Sequence, residues 1–298
     1  MHATTEELPL GTQRAPARKP SLWPKEHGAY GQLGVPLVAG LLVSREPSLA
    51  AILIAVSACT AFVAHESLLV LLGHRGPRAK RELGGAAVRR LAALGITSTS
   101  TLAIAVLLVP ALLVPLAMVV ATAAVLGHRV SRKAEKTLFG EIVAGAALSG
   151  AGFLASVAAH VDLRLALSFW IAWTLGLACG TAAVRYVVFR FRLSSSPFKG
   201  VFDRAATRPS TGARTSAEDA RASALGAGAV LAVSTTAAAV LAGLGARGVI
   251  ATLPLLLAAW GIVIARPSPK SLRRVGWALV GATVATALCM VLPTHLGG

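Results

Sequence analysis

The sequence predicts an all-α, polytopic membrane protein of about nine transmembrane helices, with its N-terminus inside and its C-terminus outside. Three observations predict this class. Hydrophobic residues make up 55% of the 298-residue chain and charged residues only 14%, where a soluble domain carries about 25% charged residues. Apolar runs of about 20 residues recur along the whole length, enough to cross a hydrocarbon core of about 30 Å. The formal net charge is +17, and its basic residues gather in alternate connections between the runs. The runs are continuous rather than alternating, which excludes a membrane β-barrel.

Residues 1–21 form an N-terminal arm rich in Thr, Pro, Arg and Glu. The arm is expected to be disordered, and it lacks the short apolar core and cleavage site of a signal peptide. Residues 22–298 are expected to form one transmembrane domain. Its apolar runs fall near 28–43, 48–73, 88–108, 110–128, 138–158, 163–188, 221–243, 248–265 and 274–292. The first is short and is entered through Trp23-Pro24-Lys25-Glu26-His27-Gly28-Ala29-Tyr30. Runs three and four are divided at Val109-Pro110, because proline lacks a donor and disfavours helix before it. Small residues are dense from run five onward, as in Gly145-Ala146-Ala147-Leu148-Ser149-Gly150-Ala151-Gly152, a composition that lets helix backbones approach closely in lipid.

The lysines and arginines give an independent check on the number of spans. Threaded as nine helices, the chain leaves 26 of its 29 basic residues on one side and only Arg45, Arg164 and Arg247 on the other. Cytoplasmic connections retain Lys and Arg, so the basic side is read as the cytoplasm and the location as the inner (plasma) membrane. An eight-span chain would break this parity from residue 110 onward. Two cytoplasmic loops are expected to be long, near 74–87 and 189–220. The basic charge is read as facing anionic lipid rather than nucleic acid. Cys59, Cys179 and Cys289 lie inside apolar runs without metal-like spacing and are read as buried thiols.

Ionisable groups inside a bilayer are costly and mark candidate sites. His65, Glu66, Glu141 and Arg185 fall in the inner halves of their runs, with Lys25 and His27 at the inner edge of the first. Together these six are the candidate lining of a polar cavity open to the cytoplasm. Glu66 is read either as a cavity carboxylate for a cation or proton, or as half of a structural pair with Arg185 or a histidine. Glu141 also suits a helix first turn, where an acid complements the dipole. His65 projects about 100° from Glu66, so the two need not share a partner. Arg75, Arg78, Lys80, Arg81, Lys199 and Arg204 are candidates for binding phosphate or lipid, against a simpler role in topology. No catalytic residue, metal ligand set or cofactor is evident: the chain has no P-loop, no Cys pair, no His-Glu-x-x-His and no Gly-x-Ser-x-Gly.

The stretch Trp23-Pro24-Lys25-Glu26-His27-Gly28-Ala29-Tyr30, running into Pro36 and Gly40, resembles the opening signature of the YwiC-like family of bacterial integral membrane proteins. The resemblance covers about residues 22–292 and implies no established activity. The helix number and the positions of the long inner loops are more distantly similar to the UbiA prenyltransferase superfamily. That likeness implies a UbiA-like bundle, Mg²⁺ and transfer of a prenyl group from its diphosphate. Where that superfamily carries Asp-rich motifs, this chain reads His65-Glu66-Ser67-Leu68-Leu69-Val70-Leu71-Leu72-Gly73-His74-Arg75 and Arg190-Phe191-Arg192-Leu193-Ser194-Ser195-Ser196-Pro197-Phe198-Lys199, so its metal mechanism does not carry over. The expected function is therefore binding or transfer of an isoprenoid or lipid diphosphate at a cytoplasm-facing cavity. A small-solute permease and a non-catalytic scaffold are the alternatives.

Overall fold

The computed structural model describes residues 21–24, 27–44, 46–132, 134, 136–194, 211–268 and 271–296. The N-terminal arm, Lys25, Lys199 and Arg204 therefore lie outside the described residues, as does the side chain of His27. Among the described residues, nine α-helices follow one another: α1 (His27–Leu42), α2 (Leu49–Leu71), α3 (Pro77–Leu108), α4 (Leu113–Ser131), α5 (Leu138–Ala158), α6 (Leu163–Ser194), α7 (Thr211–Gly243), α8 (Leu253–Ala265) and α9 (Leu272–Leu296). Eight segments among the described residues are long and apolar enough to cross a membrane, and Gly28–Leu42 is a shorter apolar helix. The break expected at Val109-Pro110 is present. Val109 leaves the helical region at φ −135°, ψ 83°, and a 3-10 turn over Pro110–Leu112 leads into α4.

Long-range hydrogen bonds fix which helix ends lie together. Ser48, which caps α2, donates to the Ala158 carbonyl at the end of α5 (2.6 Å). The ring of His295 near the end of α9 meets the Leu42 carbonyl at the end of α1 (2.7 Å). Arg185 late in α6 reaches Glu141 early in α5. In mid-span, Ser57 of α2 and Ser98 of α3 donate to each other's carbonyls (2.9 and 3.0 Å), which sets these helices antiparallel. The chain thus threads back and forth. The C-terminal ends of α2, α4, α6 and α8, which lead into the stretches where the basic residues concentrate, share one end of the bundle, the basic end.

Helices α5 and α6 form the middle: 61% of each membrane window is buried, against 11% for α3 and α4. Small residues make this possible. A Cβ on Gly40 of α1 would overlap the Gly152 carbonyl of α5, and one on Gly152 would overlap the Pro36 carbonyl, so the two backbones touch. Further out the α5–α6 contact is aromatic. Phe153 stacks on Trp170 with centroids 5.1 Å apart, and the Trp170 indole donates to the Ala146 carbonyl (2.9 Å).

The basic connections differ from the expected loops. Residues 77–87, expected as loop, are the first turns of α3, and α6 runs on to Ser194. The reason is local. Pro77 occupies the first helical turn, where its missing N–H is harmless, Ala, Lys, Arg, Glu and Leu follow, all good helix formers, and Arg78 pairs with Glu82 one turn on (2.6 Å). At 32 residues each, α3 and α6 measure about 48 Å at 1.5 Å per residue, beyond the hydrocarbon thickness of about 30 Å.

Candidate functional site at the basic end

Two arginine–carboxylate clamps are built at the basic end. The first is local to the α2–α3 turn. Helix α2 ends in a full Schellman motif: the His74 N–H returns to the Leu69 carbonyl and the Gly73 N–H to Val70, with Gly73 at φ +79°. Glycine at this position adopts left-handed geometry without a Cβ penalty. The chain then turns at Gly76, φ +92°, and enters α3 at Pro77. Between the two glycines, Arg75 is folded back along α2. Its Nε and Nη2 donate to Oε1 and Oε2 of Glu66, both at 2.6 Å. Glu66 is 1% exposed. A bidentate fork of this kind supplies both charge and geometry, and it neutralises a carboxylate that would otherwise be untenable at membrane depth.

The second clamp joins α5 to α6. Thr137 caps α5 by accepting from the Gly140 N–H (3.1 Å), placing Glu141 in the first turn. Arg185 donates through Nε and Nη2 to both Glu141 oxygens (2.7 Å each), and Nη2 also meets the Lys136 carbonyl. Glu141 thus sits near the positive pole of its own helix as well as on Arg185. Beside it, Arg129 of α4 donates to Thr137 Oγ1 (2.9 Å) and lies over the Phe139 ring. At the start of the membrane domain, the Arg90 guanidinium lies 4.8 Å from the Trp23 ring centre. Tyr30 packs edge-on to Phe62 of α2 and donates to the Pro24 carbonyl.

The structure therefore pairs Glu66 with Arg75 rather than with Arg185, because the Gly73–Gly76 turn delivers Arg75 to it. Arg185 is given to Glu141 instead. His65 stands on an exposed side of α2 while Glu66 and Ser67 are buried, as their 100° separation requires. Arg78 is occupied by Glu82, and Lys80 and Arg81 are exposed on the protruding start of α3. Among the described residues, no three His, Cys, Asp or Glu side chains are grouped to hold a metal ion. Arg129, Trp23 and Arg90 were not among the sequence-derived candidates; only the proximity of Arg129 to the Thr137 cap could have drawn attention to it.

The helices, their burial and their apolar surfaces define a multi-pass integral membrane protein whose basic end is held by arginine–carboxylate pairs. Residues 23–156 match the family model described as YwiC-like protein, a similarity that runs from Trp23 through most of α5. The matched segment contains the Glu66–Arg75 clamp and Glu141, whereas Arg185 and helices α6–α9 lie beyond it. No curated protein and no solved structure matches the chain.

Proposed function

We propose that this protein binds the phosphate-bearing head group of a lipid, isoprenoid or glycerol-based, at its basic end, and that this end faces the cytoplasm. The observation that carries the reading is the protrusion of α3 past the hydrocarbon layer. It presents Lys80 and Arg81, both exposed, at the depth of lipid phosphates, where basic side chains form charge-assisted hydrogen bonds. Lys199 and Arg204, the other sequence candidates for phosphate, lie outside the described residues. Arg75 and Arg78 are already engaged by carboxylates, so a phosphate would have to compete with Glu66 and Glu82 for them.

Prenyl transfer by analogy with the UbiA superfamily would need Mg²⁺ held by several hard oxygen ligands. The residues present do not fit that group, since both membrane carboxylates are forked onto arginines. The proposal is therefore binding rather than transfer. The test is titration of the purified chain with geranylgeranyl diphosphate and with phosphatidylglycerol, with and without Mg²⁺. Saturable binding weakened about tenfold by Lys80→Gln with Arg81→Gln supports the reading; no measurable affinity for either lipid defeats it. The scaffold reading is favoured by the two clamps themselves, and it expects Glu66→Gln to alter stability while leaving lipid binding intact.

A further inference from the structure

A second group of polar side chains lies apart from the two clamps, in the seam where α1 meets α6 and α9. Three of its side chains carry unused hydrogen-bonding capacity at membrane depth. Thr286 of α9 is 0% exposed and its Oγ1 has no partner. The Gln32 side-chain amide of α1 and the Trp173 indole N–H of α6 make no hydrogen bond among the described residues, although Trp173 is 2% exposed. Gln32 is deficient twice over. Its backbone carbonyl faces Pro36 one turn on, inside the helix, and proline has no N–H to return. Unpaired backbone and amide groups within a bilayer are costly.

These groups share one seam. Val35 and Ala39 of α1, Trp173 of α6, and Ala282, Met290 and Val291 of α9 pack in a single apolar cluster. Thr286 lies one turn from both Ala282 and Met290, on the same stripe of α9. The His295–Leu42 contact brings the end of α9 to the end of α1, and along two parallel helices the same offset puts Thr286 near the level of Leu33 and Gln32. Directly outward, Trp173, Ala39 and Met290 line a cleft together with Ser156 and Phe169.

We infer that the α1–α6–α9 seam is a binding site for an uncharged molecule that carries a hydroxyl, carbonyl or amide on an apolar body. Among the described residues, no charged side chain lines the cleft, which argues against an ionic ligand; the aromatic and Met walls suit the apolar body. Donors and acceptors are both offered: the indole N–H gives, the Gln32 carbonyl receives, and the Thr286 hydroxyl and Gln32 amide do either. Such a ligand can arrive from lipid or as a dissolved solute. This site does not depend on the lipid-phosphate reading of the basic end.

The test uses the full chain in phosphatidylcholine nanodiscs, with 1-dodecanol as the probe, dodecane as the apolar control and indole fluorescence as the readout. Saturable dodecanol binding is expected, with little response to dodecane. Thr286→Val, which keeps the shape and removes the hydroxyl, and Gln32→Leu should each weaken binding about five- to tenfold, as loss of one hydrogen bond does. Thr286→Ser keeps the hydroxyl and should bind nearly as the parent does, which separates a lost contact from a lost fold. Displacement by acetamide would assign the natural occupant to the aqueous phase, and resistance to it would assign it to the membrane; either keeps the site. Equal response to dodecane and dodecanol, or unchanged affinity in both Thr286→Val and Gln32→Leu, overturns the inference.

Discussion

The side chains that matter most are those whose removal leaves something stranded. Glu66 is 1% exposed and forked onto Arg75, whose side chain keeps 26% of its exposure. Replacing one partner of a fully buried pair costs about 3–5 kcal/mol. Because Arg75 retains access to the aqueous surface, Glu66→Gln should cost about 2 kcal/mol, seen as a lower thermal midpoint in detergent. Glu66→Gln combined with Arg75→Gln should recover part of that loss; if the double variant is less stable than the sum of the two singles, the pair is not what the carboxylate serves. Steric demand at Gly40 is as definite. Gly40→Ala must part α1 from the Gly152 carbonyl and should cost about 1–3 kcal/mol as overpacking does, whereas Gly95→Ala, with open space around it, should stabilise α3 by up to about 1 kcal/mol. Glu66, Glu141 and Arg185 lie toward the basic ends of their helices, a position that follows from their place along an apolar run. The sequence could not assign partners. Which arginine reaches Glu66 is decided by the left-handed turn at Gly73, a property of backbone geometry that an apolar count does not contain. Gln32 escaped notice for a related reason: an uncharged amide draws no attention until its surroundings show that nothing answers it.

Helix ends show the same division between what a pattern announces and what geometry adds. The Val109-Pro110 break was legible because proline's missing donor is a local fact. The helical start of α3 was not, because residues 77–87 are charged and a search for apolar runs discards them. The ends also differ in how well their residues suit them. After α5 the chain repeats the Schellman pattern used after α2, with Val161 N–H returning to Ser156 and His160 N–H to Val157. Here the left-handed position, φ 63°, is held by His160 instead of glycine. A side chain in that region costs about 1–2 kcal/mol. His160→Gly should therefore raise stability by up to about 1 kcal/mol, part of the gain being lost to glycine's greater freedom when unfolded. Gly73→Ala should do the opposite and also loosen the turn that carries Arg75. Thermal unfolding of the two variants in one detergent checks both signs, and shifts in the same direction would remove the turn argument.

For the whole molecule, the decisive question is which face of the membrane receives the basic end. The alternating arrangement of helix ends follows from contacts as separate as Ser48–Ala158 and His295–Leu42, neither of which is an ion pair. Read along the sequence, the same threading assigns 26 of the 29 lysines and arginines to one side. Two unrelated properties of the chain thus give one partition, and a bias that large is what retention of positive loops on the cytoplasmic side produces. The orientation expected is a cytoplasmic basic end, with α1 starting there and α9 finishing on the far side, since nine crossings are an odd number. Alkaline phosphatase joined after Gly298 should be active and a green fluorescent protein at the same point dark, with the reverse for fusions truncated within the 195–210 connection. A fluorescent fusion at Gly298 together with an active phosphatase at 195–210 would invert the molecule. It would place Lys80 and Arg81 away from cytoplasmic phosphates and leave the α1–α6–α9 seam, which is argued without reference to sidedness, as the surviving binding site.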